Sequence, residues 1–152
     1  MHQFDLKDKT AIITGGAQGF GLDIAKRFLN SGAKVIIWDI DENELIKASE
    51  KLNNPKLSFN VVDVSNYKSV KEAVDTIIKS SSIDILINNA GITGSTSSLW
   101  DYDVDEWNKI IQINLMGTFN CCKCIVPNMI DNNYGRIVNV ASVAGKDGNA
   151  NA

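Results

Sequence analysis

The sequence predicts an α/β domain built as a doubly wound parallel sheet, with helices on both faces. Three observations carry that expectation. Five short apolar stretches alternate with segments whose apolar residues recur at helix spacing. Each of those stretches reads as an apolar strand, the pattern expected of a strand buried on both sides. The first of them, Ala11-Ile12-Ile13, stops at Thr14 and runs through a glycine-rich turn directly into a helical pattern.

Taken in order, Phe20, Ile24, Ala25, Phe28 and Leu29 give the first helix its apolar face, and Ser31-Gly32 ends it. Lys34 to Trp38 reads as the second strand, and Asp39 stands just past its end. Asp41-Glu42-Asn43-Glu44 has the arrangement of a capping box and opens the second helix. Leu57 to Val62 is the third strand, ending at Asp63-Val64. Val70, Ala73, Val74, Ile77 and Ile78 then fall on one face of a third helix. Ile83 to Ile87 is the fourth strand, followed by Asn88-Asn89-Ala90-Gly91, and Thr93 to Ser98 has loop composition. A long helix is expected from about Val104 to Met129 with two apolar lines. Trp107, Ile111 and Ile125 form one, and Leu115, Phe119, Cys122, Val126 and Met129 form the other. One side would lie on the sheet, and the second calls for a neighbouring helix or subunit. Arg136 to Val140 is the fifth strand, leading to Ala141-Ser142.

Composition narrows the function classes. The 152 residues are 44% hydrophobic and 22% charged, ordinary for one globular domain with a real core. A net charge of −3, with no run of more than two basic residues, argues against nucleic acid as a partner. No apolar run reaches membrane-spanning length, and Met1 to Lys7 lacks the apolar centre of a signal peptide. Cys121 and Cys124 have C-x-x-C spacing around Cys122, which raises metal or redox chemistry. The one histidine is His2, however, and no second cysteine pair exists. Buried, reduced helix cysteines are expected instead, with no metal site and a cytoplasmic, reducing location.

The junction of first strand and first helix is an anion trap. The first helical N–H groups lack intrahelical partners, the helix dipole adds partial positive charge, and glycines admit a phosphate close to the backbone. Thr14, Asp39, Asp63, Asn88 and Ser142 all fall at or just after strand ends, where such sheets bind ligands. Asp39, 24 residues after Gly15, has the position of an acid that receives ribose hydroxyls. Hydrogen bonds to a charged group contribute about 1.5–3 kcal/mol. A 2′-phosphate beside that carboxylate would meet roughly 4 kcal/mol of repulsion per close charge pair. Its neighbours Trp38 and Ile40 supply no compensating cation, so NAD is expected over NADP.

Thr14, Gly15, Gly19 and Gly21 spell T-G-x-x-x-G-x-G, which resembles the classical branch of the short-chain dehydrogenase/reductase family; the extended branch has a glycine where Gln18 stands. The resemblance continues through Asp63-Val64, through Asn88-Asn89-Ala90-Gly91 (the family's NNAG signature), and through Asn114 and Ser142. It implies a Rossmann-type fold. It places the coenzyme on Gly15, Gln18, Gly19, Phe20, Gly21, Asp39, Ile40, Asp63, Val64, Asn89, Ala90 and Gly91, and assigns Asn114 and Ser142 as catalytic. Singly, each residue also has an ordinary reading: Asn114 as a satisfied helix amide, Ser142 as a turn former, NNAG as a strand-ending turn.

The implied activity is NAD(H)-dependent interconversion of a secondary alcohol and a ketone. Gly145 to Ala152 looks similar to 3-oxoacyl-carrier-protein reductases or sugar and sugar-acid dehydrogenases in the family. Family chemistry rests on a Tyr-x-x-x-Lys pair after the serine, a position beyond Ala152. General acid/base catalysis contributes about 10²–10⁴-fold, so a fragment without that pair is expected to be inactive. Residues 1–152 would then form one NAD-binding domain incomplete at its C-terminus, aggregation-prone alone, from a parent that is a homodimer or homotetramer. Tyr67 to Lys71 is literally Y-x-x-x-K, but it lies at the adenine end of the groove and reads as a solvated helix start. A non-catalytic dinucleotide-binding module is the alternative.

Overall fold

The computed structural model describes residues 5–148. The expectations placed on Met1 to Phe4 and on Asn149 to Ala152 lie outside the described residues. Strands β1 (Thr10–Thr14), β2 (Lys34–Asp39), β3 (Leu57–Val61), β4 (Ile85–Asn88) and β5 (Arg136–Asn139) form one parallel sheet in the order β3-β2-β1-β4-β5. Strand order reverses at β1, which lies between β2 and β4. Helices α1 (Gly19–Asn30), α2 (Glu42–Leu52) and α3 (Tyr67–Ile77) follow the first three strands.

Strands β1, β2 and β4 bury both faces, whereas β3, in which Ser58 and Asn60 alternate with apolar residues, is only partly covered and β5 is exposed. Ile13, Ile37 and Ile87 point into a core closed by Ala25 and Leu29 of α1 and Leu45 of α2. Ile12, Ile36 and Leu86 point the other way, against Val70 and Val74 of α3 and Ile125 further along the chain. At the N-terminal edge of the sheet, Asp84 ties β4 to β1. One carboxylate oxygen accepts from the Thr10 amide at 2.8 Å and the other faces Lys9 Nζ at 3.4 Å.

Helix α2 begins with half of the expected capping box. Asp41 accepts from the Glu44 amide, while the Glu44 carboxylate turns to Lys47 at 2.6 Å. In α3, Val70, Val74 and Ile77 are buried, whereas Ile78 is the C-terminal cap and largely exposed.

The expected long helix is three pieces end to end: α4 (Val104–Ile110), a π-helical segment (Ile111–Met116) and α5 (Gly117–Asp131). The π segment rotates the face of everything after it, so lines drawn at constant spacing do not survive. The side turned inward is Gly117, Asn120, Cys121, Cys124, Ile125 and Met129. Trp107, Leu115 and Phe119 are half-exposed.

Candidate functional site

The segment after β1 is shaped by two demands on its backbone. Gly15 and Gly19 both take positive φ, +61° and +50°, where a side chain would be strained. Gly21 is different: a Cβ there would run into the Gly15 carbonyl oxygen, so its role is to let α1 approach the turn. Thr14 and Asn89 lace this turn to the segment after β4. Thr14 Oγ1 accepts from the Asn89 and Ala90 amides, each at 3.0 Å. Asn89 Nδ2 donates to the Thr14 and Gly15 carbonyls at 3.0 and 3.1 Å.

Helix α1 starts without a side-chain cap. Gln18 precedes it in an extended conformation, its side chain bonds no first-turn amide, and that turn holds no acidic residue. Helices α2, α3 and α4 instead begin under Asp41, Asn66 and Asp103, each accepting from amides one to two residues inside the helix. The amides of α1 therefore open on a cleft of about 430 Å³ beyond the strand ends, where the strand order reverses.

Of the expected coenzyme residues, Gly15, Gln18, Gly19, Asp39, Ile40, Asp63, Val64, Asn89, Ala90 and Gly91 line that cleft. Phe20 and Gly21 do not: the Phe20 ring is 79% exposed and Gly21 is buried in the turn. Trp38, Val62, Ile92 and Ile113 also line it. Their sequence signal was ordinary core apolarity, which conceals a second duty as cleft wall. Trp38 adds a buried indole N–H without a hydrogen-bond partner.

Asp39 is committed on both oxygens. Oδ2 accepts from the Ala17 amide of the turn at 3.2 Å, and Oδ1 accepts from Ile40 at 2.9 Å and Asp41 at 3.3 Å. A carboxylate offers about four acceptor positions, so capacity remains for a ligand hydroxyl. Asp63 holds the start of the β3–α3 connection through Ser65, at 2.9 Å to its amide and 2.6 Å to its hydroxyl. Asn120, which sequence reading passed over, supports the same corner by donating to the Val64 and Ser65 carbonyls.

Asn114 sits in the π-helical segment behind Gly91. Its side chain accepts from the Ile92 amide and donates to the Ile92 carbonyl, both at 2.9 Å. The Asn114 backbone carbonyl receives the Thr118 hydroxyl at 3.0 Å. Ser142 lies past β5, where its hydroxyl oxygen caps a single 3-10 turn by accepting from Ala144. Neither residue lines the cleft. The Tyr67–Lys71 pair lies apart from it as well. Lys71 is paired with Asp75 at 2.5 Å. Tyr67 opens α3 and is 43% exposed, the solvated helix start that was expected, and Lys123 stands 5.6 Å from its ring.

Cys121 and Cys124 are buried and Cys122 is half-buried, all as free thiols. Burial pushes the Cys121 thiol up from 9.0 to about 12, with Cys122 and Cys124 adding to the shift. A thiol so strongly held in its neutral form is a poor metal ligand and a poor nucleophile. Among the described residues, no helix is long and apolar enough to cross a membrane.

These residues suit a dinucleotide. The turn's open side lies over Gly19, where a Cβ would meet nothing within 4 Å. The helix behind it is uncapped, and the Asp39 carboxylate lines the same cleft. Comparison with known proteins agrees. The chain is 42% identical over 145 residues to the 2-dehydro-3-deoxy-L-rhamnonate dehydrogenase (NAD(+)) of a Sphingomonas species, covering 95% of this chain and 57% of that protein. It is 40% identical over 148 residues to a 3-oxoacyl-(acyl-carrier-protein) reductase of Chlamydia pneumoniae, covering 95% of this chain and 59% of the relative. The fold superposes on NAD+-bound xylitol dehydrogenase with a TM-score of 0.91 at 33% identity, covering 96% of this chain and 57% of that one. The chain thus spans little more than half the length of these relatives. The short chain dehydrogenase family profile matches residues 9–152, and with the glycine turn, the NNAG segment and the sheet order in place, the chain belongs to that family of oxidoreductases.

Proposed function

We propose that the cleft binds NAD(H), and that the whole protein interconverts a secondary alcohol and a ketone. The observation that carries this reading is the uncapped N-terminus of α1 facing the same cleft as the Asp39 carboxylate. In that reading the amides after Gln18 take the diphosphate, and Asp39 takes the adenine ribose hydroxyls. Asp63 and Val64 flank the adenine, while Asn89, Ala90 and Gly91 approach the nicotinamide half. Phe20 and Gly21, which do not line the cleft, would contribute through their backbone at the start of α1. The coenzyme, when bound, would supply or accept the hydride. Ser142 would orient the substrate oxygen and Asn114 would anchor a water in the proton relay, beside the Tyr-x-x-x-Lys pair that the family carries after the serine. NAD is favoured over NADP because no cation flanks Asp39 in sequence. The names of the relatives support a sugar-acid or 3-oxoacyl thioester substrate. We also place the protein in the cytoplasm, as a homodimer or homotetramer joined through the long helix.

Coenzyme titration tests the reading. NADH fluorescence should rise on mixing with the chain, and NADPH should bind no better; tighter NADPH binding would overturn the preference. A second reading, a non-catalytic dinucleotide-binding module, would use the same turn and cleft without a proton-transfer pair. Sequencing the gene past codon 152 separates the two: an encoded tyrosine and lysine four residues apart supports the enzyme, and a stop codon supports the module.

A further inference from the structure

The irregular segment after β4 is fastened to the long helix at three successive points. Ile92 has both its amide and its carbonyl bonded to Asn114. Gly94 is wedged so closely under Tyr102 Oη and Ile110 Cδ1 that a Cβ would meet both. Ser95 gives its amide to Glu106 Oε1 at 3.0 Å and its hydroxyl to Glu106 Oε2 at 2.6 Å. Glu106 is itself set in place, because Asp103 accepts from its amide at 2.7 Å at the start of α4. Tyr102 packs edge-on against Trp107, the next residue along that helix.

A serine-, threonine- and glycine-rich stretch has little packing energy of its own to choose one conformation. Here both oxygens of a single carboxylate are spent on one serine, and charge-assisted bonds are the stronger kind. The segment they restrain begins at Gly91 and Ile92, which line the cleft on the β4 side, across the sheet from Asp39 on β2. Glu106 is not among the lining residues. It acts on the wall from behind.

We propose that Glu106 is a positioning residue: through its two bonds to Ser95 it holds residues 92–95 against α4 and so fixes the wall at the β4 end of the cleft. The consequence for ligands rests on the coenzyme reading above, in which that end receives the nicotinamide half. Glu106 should then matter for NADH and not for ADP-ribose, which lacks the nicotinamide.

The test uses the chain with Glu106→Ala, Ser95→Ala, the double variant, and Glu106→Gln, which keeps one acceptor and one polar hydrogen-bonding arm. Hydrogen exchange of the 92–98 amides is measured without ligand, and NADH and ADP-ribose are titrated separately. Each alanine variant should speed exchange of the segment about tenfold, the size of losing a charge-assisted bond. The double variant should be no worse than either single one, and Glu106→Gln should restore most of the protection. NADH affinity should fall several-fold in the alanine variants while ADP-ribose affinity holds. Unchanged exchange, additive effects, or parallel loss of both ligands would overturn the proposal. Wild-type chain that binds neither ligand would overturn the coenzyme reading, and the exchange data would then decide the tether alone.

Discussion

The Asp39 carboxylate accepts from Ala17 in the turn as well as from Ile40 and Asp41, so its removal has two separable effects. Losing the bond to Ala17 loosens the turn for any dinucleotide. Losing the charge removes repulsion of a 2′-phosphate only. Asp39→Ala should therefore weaken NADH binding about tenfold or more and shift the NADPH-to-NADH affinity ratio toward NADPH; titration showing both coenzymes falling in parallel would leave Asp39 a turn former. The glycines separate similarly. Gly21→Ala drives a methyl into the Gly15 carbonyl and should cost about 1–3 kcal/mol by overpacking. Gly19→Ala meets open space and should cost only about 1–2 kcal/mol of left-handed strain. Thermal melts of the two variants should rank in that order. The spacing of Gly15, Gly19 and Gly21 was legible in the sequence, but their different duties were not. A glycine pattern reports only where a side chain is missing, and both a close ligand and a close backbone atom produce that absence.

Most elements were legible because their apolar residues follow a single period. The uniformly apolar strands and the 3.6-residue face of α3 leave little choice of structure. The long helix failed that logic in one respect: a π-helical segment over Ile111–Met116 breaks the period, and no local residue type announces it. Its effect is to bring the face of Asn120, Cys121 and Cys124 inward, with Asn120 on the Val64 carbonyl. The buried Cys121 thiol yields a pH prediction. Its folded-state value of about 12 lies above the ordinary 9.0. The unfolded chain thus releases its proton first as pH rises, and the folded state loses stability from the lower value toward the higher. Denaturant unfolding of wild type and Cys121→Ala should converge as pH climbs above 9.0, because only the wild type carries this penalty. A pH-independent difference would contradict the assigned burial. Cys121 should also resist alkylation in the folded chain.

At the scale of the whole molecule, two apolar surfaces stand open. All four residues of β5 are exposed, with Val138 at 50% and Val143 beyond it at 68%. Leu115 and Phe119 extend the exposure along the helix. An uncovered parallel strand beside such a patch invites association. The 152-residue chain alone should self-associate in sedimentation velocity; a monomer with a cooperative melt would contradict this. The doubly wound architecture was legible from strand–helix alternation, whereas strand order was not: nothing in the segments themselves says that β4 pairs with β1 rather than β3. That reversal at β1 creates the cleft, and it makes the coenzyme reading depend on amides from distant segments meeting there. Amide resonances of the isotope-labelled chain during NADH titration test this most directly. Saturable shifts are expected at Gly15 to Gly21, Asp39-Ile40, Asp63-Val64 and Asn89 to Gly91, with β5 and the exposed face of α3 unmoved. Shifts scattered over the surface, or confined to residues outside the cleft, would contradict the coenzyme reading.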